Sequence, residues 1–80
     1  MPTFPSMRAQ DLQRLLEREF GYRVHAQKGS HKKLRSDRGF PNLTFAFHDG
    51  VEIAPGLVRT ILTKEVGLSA EEAAELLGIG

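Results

Sequence analysis

A histidine followed closely by three cations is the part of this chain whose residue types could do chemistry. His31 lies in the stretch QKGSHKKLRS, residues 27–36, ahead of Lys32, Lys33 and Arg35. Cleavage of an RNA phosphodiester needs a base for the 2′-hydroxyl proton, an acid for the leaving 5′-oxygen and cations for the charged phosphorane. Imidazole suits the proton transfers, and lysine or arginine suits the charge. The stretch is therefore a candidate for chemistry on a phosphate backbone.

Other interpretations of these residues stay open. Lysine and arginine also keep an exposed hairpin soluble, and a histidine in a polar strand is more often a surface residue than a catalytic one. His25, His31 and His48 could together hold zinc, but no metal-binding motif surrounds them, and no cysteine or carboxylate is spaced to complete a site. The residue types alone do not decide between catalysis and a solvated basic turn.

The charge of the chain is unevenly distributed. The formal net charge is only +1, but residues 22–38 contain six cations and one acid, whereas residues 67–80 contain three acids and no cation. A basic middle segment attracts polyanions at low salt, and the acidic end makes the molecule a charge dipole. The distribution therefore favours a nucleic-acid partner more than the net charge does.

Length and composition exclude several classes of protein. Eighty residues close one modest core, so we expect a single domain over residues 1–80, with a short flexible N-terminus at residues 1–6. No apolar run approaches the roughly 20 residues of a membrane-spanning helix, and the N-terminus lacks the apolar core of a signal peptide. The absence of cysteine excludes disulfides and thiol nucleophiles, and fits a cytoplasmic protein.

Apolar spacing predicts the elements that must position the basic stretch. Apolar residues from Leu12 to Phe20 repeat at the spacing of one helix face, and Gly21 follows where a helix-ending glycine belongs. This predicts helix 1 from about Arg8 to Phe20. Alternation of apolar and polar residues then predicts a first strand at residues 22–28.

Two further strands and two helices follow. Residues 31–36 form a weaker predicted strand between two turns, and residues 42–48 form the clearest strand, while the segment DGVEIAPG is predicted to be a loop. A second helical pattern covers residues 57–66, and a capping box of Ser69 and Glu72 predicts a third helix at about residues 70–77. The order α-β-β-β-α-α predicts an α+β fold, with a three-stranded antiparallel sheet that carries the helices on one face.

Strand alternation predicts which side chains share the sheet face that no helix covers. On the middle strand Leu34 should face the helices, and Lys32 should be displaced toward an edge. Residues of the opposite parity on the three strands should point away from the core. The open face is therefore expected to carry Arg23, His25, His31, Lys33, Arg35, Thr44 and His48.

Four short motifs occur along the chain in a distinctive order. A helix ends in LLEREFGY, a strand leads into QKGSH, a third strand ends in histidine, and the segment PGLVRTILTKEVGLSAEE follows. In order and spacing these motifs resemble the HicA family of toxin-antitoxin mRNA interferases, also called YcfA-like proteins, over nearly the whole chain. The resemblance implies a fold similar to the double-stranded-RNA-binding domain, which agrees with the predicted order of elements.

The resemblance also implies roles for residues. The histidine of the lysine-glycine-serine-histidine segment, here His31, is implied to be the catalytic residue of an endoribonuclease. One histidine does not obviously serve as both acid and base, so the second proton transfer stays open between His48, a lysine and water, with His25 as a further auxiliary candidate. No cofactor or metal is implied. The residues expected to bind RNA are Lys28, Gly29, Ser30, Lys32, Lys33 and Arg35.

The implied biological role is that of a toxin that cleaves mRNA until a HicB-type antitoxin protein covers its active face. The chain departs from the family pattern in having Lys32 and Lys33 after the histidine, Ala46 in place of a proline and Leu57 in place of a threonine. Two alternatives remain open at this point. One is an RNA-binding module of the same fold without chemistry, and the other is an interaction protein whose basic face docks an acidic partner.

Overall fold

The computed structural model describes residues 3–79, which form an α+β fold. Strands β2, β3 and β4 make an antiparallel sheet in that order, so β2 and β4 are its edges. This confirms the predicted fold class. The elements are β1 (Met7–Arg8), α1 (Ala9–Phe20), β2 (Tyr22–Lys28), β3 (His31–Ser36), β4 (Leu43–Ala46), β5 (Glu52–Ile53), α2 (Pro55–Thr60), a π-helical turn that continues α2 (Ile61–Glu65), and α3 (Ala70–Leu76).

Helix α1 packs its apolar stripe against one face of the sheet. Leu12 and Leu16 are fully buried, and from the sheet Leu34 and Phe45 join the same core, each with 1% of its surface exposed. Burial of each such side chain contributes about 1.5–3 kcal/mol. Arg8 is extended and precedes the helix, which therefore begins one residue later than predicted.

The C-terminus of α1 is tied to the strands by polar side chains. Gly21 adopts a left-handed conformation (φ 71°) and turns the chain into β2. The last carbonyls of a helix have no partner within it. Here Ser36 Oγ donates to the Phe20 carbonyl at 2.6 Å, and Arg38 Nη1 donates to the Glu19 carbonyl at 2.9 Å. These bonds fix the start of β2 and the end of β3 relative to the helix.

A β-bulge in β2 changes the face on which part of this strand lies. Val24 pairs with Leu34, but Ala26 pairs with Lys33, so one residue of β2 has no partner of its own. Val24 remains on the helix side although 40% of its surface is exposed, whereas Ala26 lies on the open side. Regular alternation along this strand would place Val24 and Ala26 on the same face, but the bulge shifts the alternation by one residue.

Two short strands were missed by the sequence patterns. Met7–Arg8 (β1) pairs antiparallel with Glu52–Ile53 (β5), inside a segment predicted to be a loop. A strand of two residues shows no alternation, so periodicity cannot reveal it. Strand β4 is also shorter than expected, ending at Ala46.

The C-terminal part of the chain forms the two predicted helices, with one irregularity in the pattern of backbone hydrogen bonds. Helix α2 starts at Pro55, and its continuation contains a π-type bond from Val66 N to the Ile61 carbonyl at 3.0 Å. Helix α3 begins with the predicted capping box, in which the Ser69 hydroxyl and the Glu72 carboxylate each accept a backbone N–H. No helix within residues 3–79 is long and apolar enough to cross a membrane.

The expected flexible N-terminus covers residues 1–6, of which residues 1 and 2 lie outside the described part of the chain. Within the described part Phe4 is buried in the core, and Ser6 Oγ donates to Glu52 Oε2 at 2.7 Å. That residues 1–80 form a single domain stays a prediction.

Candidate active site

The sheet face opposite the helices carries His31 and its nearest cations. His31 is the first residue of β3 and lies opposite Lys28 on β2 and Ala46 on β4, while Arg35 lies opposite Arg23. Directly paired residues of an antiparallel sheet point to the same side. All five residues are exposed, and none is covered by a helix. The strand register thus creates a cation-rich surface, which we call the open face.

A hollow of about 630 Å³ on the open face contains the predicted catalytic residue. Of its lining residues, His31 is the only imidazole, Lys28 and Lys33 contribute two ammonium groups, and no carboxylate is present. The complete lining is Ala26, Gln27, Lys28, His31, Lys33 and Thr44. A cavity of this composition suits a negatively charged group, because its charged atoms are all donors or potential donors.

The turn between β2 and β3 connects Lys28 to His31, two lining residues of this hollow, but its own residues line a separate depression with Lys32 and His48. Gly29 has a φ of 60°, which favours glycine, and an added Cβ there would meet no heavy atom within 4 Å. The Gln27 side-chain amide donates to the Gly29 carbonyl at 3.0 Å and steadies the turn. Ser30 completes it directly before His31. The turn predicted from Gly29 and Ser30 is present, and its proposed approach to phosphate stays a prediction.

Lys32 has a setting different from that of the other cations expected to bind RNA. It lies opposite Gln27 and Phe45, and Phe45 is buried, so Lys32 faces the helices and is not displaced toward an edge. Its Nζ donates to Gln13 Oε1 at 2.8 Å and lies 3.0 Å from Asp49 Oδ1, with only 12% of the side chain exposed. The charge of Lys32 is thus neutralised on the side away from His31.

The other two histidines do not join His31 in its hollow. His25 is the bulged residue of β2 and lines neighbouring depressions together with Lys33 and Arg35. His48 follows the end of β4 and lines a separate depression with Ser30 and other residues of the turn region. The expected gathering of three histidines on one surface is therefore only partial. No group of three metal-binding side chains occurs among residues 3–79.

Three residues of this region were not in the predicted site. Ala26, Gln27 and Thr44 complete the hollow around His31. Thr44 faces Lys33 because of the pairing of β3 with β4, and Ala26 faces it because of the bulge. Alternation had placed Thr44 on the open face, but only the strand register shows which cation it accompanies.

Two titratable side chains elsewhere in the described part of the chain have shifted pKa values. Burial of the Tyr22 side chain, helped by the charge of Glu65, raises the pKa of its phenol, whose hydroxyl donates to the Pro41 carbonyl at 2.6 Å. The backbone N–H and the hydroxyl of Ser69 lower the pKa of the Glu72 carboxyl. Both groups therefore report on folding rather than on the chemistry of His31.

Comparison with known protein families gives a match to most of the chain. The family model described as "HicA toxin of bacterial toxin-antitoxin" matches residues 9–68. This range starts with α1, contains the whole three-stranded sheet with His31, and ends just after the π-helical turn. No match was found among curated proteins or among solved structures.

Proposed function

Because the chain belongs to the HicA family of toxins from bacterial toxin-antitoxin pairs, we propose that it is an endoribonuclease that cleaves mRNA with His31 as its catalytic residue. The observation that carries this proposal is the hollow in which an exposed imidazole lies with two ammonium groups and no carboxylate. A phosphodiester would find both a proton carrier and charge compensation there. The family match and the hollow support the proposal independently.

The chemistry needs few groups. A base takes the proton of the 2′-hydroxyl, the 2′-oxygen forms a bond to phosphorus, and the bond from phosphorus to the 5′-oxygen breaks as an acid protonates that oxygen. His31 performs one of these two transfers. Lys28 and Lys33 stabilise the negative charge that grows on the phosphorane oxygens. Gly29 and Ser30 form the turn that connects Lys28 to His31, and a phosphate approaches their backbone in this proposal.

The second proton transfer requires another group near the same end of the sheet. His48 follows two residues after Ala46, the partner of His31 in β4, so the two histidines belong to the same end. His25 lies on the far side of Lys33. We assign the second transfer to His48, to a lysine of the hollow or to water, with His25 as the more distant choice.

Arg35 extends the RNA-binding surface along β3, about 13 Å from His31 as judged by the rise of a strand. Lys32 is not used in this proposal, because its ammonium is bound by Gln13 and Asp49 on the helix side. We further propose that a HicB-type antitoxin covers the open face, since a partner that occupies this surface excludes the substrate. The activity is assigned to the cytoplasm, where mRNA is translated.

The decisive test is His31→Ala, assayed for growth arrest and for cleavage of RNA in EDTA. General acid–base groups contribute about 10²–10⁴-fold to rate, so we expect cleavage to fall by at least about 10² while RNA binding changes little. Lys64→Ala, at an exposed position of the π-helical turn outside the sheet, serves as the control and should retain most of the activity. Undiminished cleavage by His31→Ala would show that the assignment is wrong, and RNA binding by the parent without shortening of the RNA would identify a non-catalytic RNA-binding module.

A further inference from the structure

A second group of arginines lies at the side of α1, outside the hollow of His31. Arg14 and Arg18 are four residues apart on α1 and thus share one helix face. With Glu17 and Arg23 they line a depression of about 420 Å³. All three arginines are exposed. Nothing in the proposed cleavage chemistry uses this depression.

Arg23 connects this depression to the open face. It lines the depression beside α1 and also a smaller one of about 230 Å³ that includes His25 and Arg35. Arg23 lies directly opposite Arg35 on the neighbouring strand, an arrangement in which like charges repel. Neither guanidinium forms a salt bridge within residues 3–79, so an anion that bridges them would relieve the repulsion.

The guanidinium of Arg23 is held in place by backbone. Its Nη1 donates to the Tyr22 carbonyl at 2.8 Å and to the Glu17 carbonyl at 3.4 Å, at the negative end of α1. Because Arg has five N–H donors in a fixed plane, donors remain for a phosphate. A cation that is already oriented loses less conformational entropy on binding than a free one.

The depression keeps a net positive charge although Glu17 lines it, because its other three lining residues are arginines. Glu17 Oε2 accepts from Gln13 Nε2 at 3.3 Å, and Arg18 Nε lies 3.0 Å from Glu19 Oε2. The second pair is solvent-exposed, with 69% of the Arg18 side chain accessible, and exposed ion pairs contribute at most about 1 kcal/mol. A phosphate can therefore displace Glu19 from Arg18 at little cost.

We propose that Arg14, Arg18 and Arg23 form an exosite for single-stranded RNA, reached by the same strand that crosses the hollow of His31. The inference rests on the proposed function. From the hollow the strand passes Lys33 and Arg35 on β3, crosses the edge strand β2 at Arg23, and continues along α1. The exosite binds phosphates and has no aromatic residue on which a base could stack, so it adds affinity without sequence preference.

The shape of the path selects a single strand rather than a duplex. The open face and the exposed side of α1 lie on different sides of the sheet, and the path between them bends around the edge formed by β2. The molecule is only 18 Å across in its shortest dimension. A double helix is too stiff to bend around so thin an edge, since smooth bending of nucleic-acid duplexes over short distances costs several kcal/mol. A flexible single strand follows it readily.

The experiment measures RNA binding in a His31→Ala background, which separates binding from cleavage. Single-stranded probes of roughly 4 and roughly 12 nucleotides are compared, since single-strand sites span this range of lengths. We expect Arg14→Gln with Arg18→Gln to weaken binding of the long probe about 5- to 10-fold and to leave the short probe unchanged. The slope of log affinity against log salt should fall by roughly 0.7 for each phosphate that the variant no longer binds.

Arg8→Gln with Lys64→Gln is the matched control, because it removes the same charge from exposed positions off the path. Equal losses for this control and the exosite variant, or equal losses for both probe lengths, would show that only net charge matters and would overturn the exosite. An unchanged salt slope for the long probe would overturn it as well. If the parent protein cleaves RNA while the exosite variant binds normally, the exosite fails and the proposed function stands. Failure of the parent to bind or cleave any RNA would instead contradict the proposed function, and the exosite with it.

Discussion

Lys32 and Lys33 are neighbours in sequence, but their ammonium groups lie on opposite sides of the sheet. Lys33 lines the hollow of His31, whereas Lys32 is bound by Gln13 and Asp49 beneath it. Two substitutions that remove the same charge should therefore have different effects. This makes the pair a direct test of whether the open face, and not basic character in general, binds RNA.

We expect Lys33→Ala to weaken RNA binding several-fold and to lower the salt slope by roughly 0.7, with little effect on stability. Lys32→Ala should leave RNA binding nearly unchanged and reduce the free energy of unfolding by about 1–2 kcal/mol, since it breaks charge-assisted hydrogen bonds of a half-buried group. Salt-dependent RNA binding and urea unfolding of both variants measure this. Equal loss of RNA binding in the two variants would contradict the assignment of the open face.

At the level of single residues, the sequence predicts where a side chain lies when that placement depends only on neighbouring residues in the chain. Alternation places Leu34 in the core and His31, Lys33 and Arg35 opposite to it, and the structure agrees. The partners of Lys32 lie 19 and 17 positions away in sequence. Such a contact depends on how α1 crosses the sheet, which a residue pattern does not contain.

Among the elements, the junction of α1 and β2 is the most constrained. Gly21 has a positive φ, and a Cβ added there would collide with the Asp37 carboxylate. Asp37 belongs to the turn after β3, and its backbone N–H donates to the Gly21 carbonyl at 3.2 Å. The backbone conformation thus favours glycine here, and a larger residue would also have to displace the Asp37 side chain.

A left-handed alanine costs about 1–2 kcal/mol. We expect Gly21→Ala to lower the free energy of unfolding by somewhat more than this, because the side chains of Asp37 and Arg38 must also move. Gly39→Ala is the control, since Gly39 has a φ of 86° but no heavy atom within 4 Å of an added Cβ. Chemical unfolding of both variants makes the comparison. A smaller loss for Gly21→Ala than for Gly39→Ala would mean that steric contact with the turn is unimportant.

Sequence patterns predict well those helices and strands that are long enough to show a repeating pattern of apolar residues. Helix α1 and strands β2 and β3 each contain at least six residues, and their bounds agree with the predictions to within one residue. Strands β1 and β5 have two residues each, and the β2 bulge is a single extra residue. These features arise from pairing between distant segments, so they become visible only when the fold is known. The exosite at Arg23 depends on that same pairing.

At the scale of the whole molecule, the two signs of charge are separated. The cations of the open face lie on one side of the sheet, and the acidic helix α3 packs against the π-helical turn among the helices on the other side. An RNA strand approaching this dipole is drawn toward His31 and repelled from α3. For the proposed cleavage, this separation orients the RNA although the net charge is close to zero.

Folding of the whole molecule should depend on pH through two groups far from the open face. Burial, and secondarily the charge of Glu65, raises the pKa of Tyr22. Its contribution to the free energy of unfolding is therefore complete below the ordinary tyrosine pKa of about 10, and it is lost as the pH rises through the higher pKa of the folded state. The pKa of Glu72 is lowered by the backbone N–H and hydroxyl of Ser69. The contribution of Glu72 to the free energy of unfolding is therefore complete above the ordinary glutamate pKa of about 4.3, and it is lost as the pH falls through the lower pKa of the folded state.

We therefore expect the free energy of unfolding, measured by urea titration at a series of pH values, to decline at both extremes. Tyr22→Phe should flatten the alkaline decline, while it lowers stability at neutral pH by about 1 kcal/mol through loss of the hydrogen bond to Pro41. Glu72→Gln should flatten the acid decline and leave the alkaline one unchanged. Each variant removes one titrating group and not the other. If the alkaline decline persisted in full in Tyr22→Phe, a group other than Tyr22 would be responsible for the loss of stability at high pH.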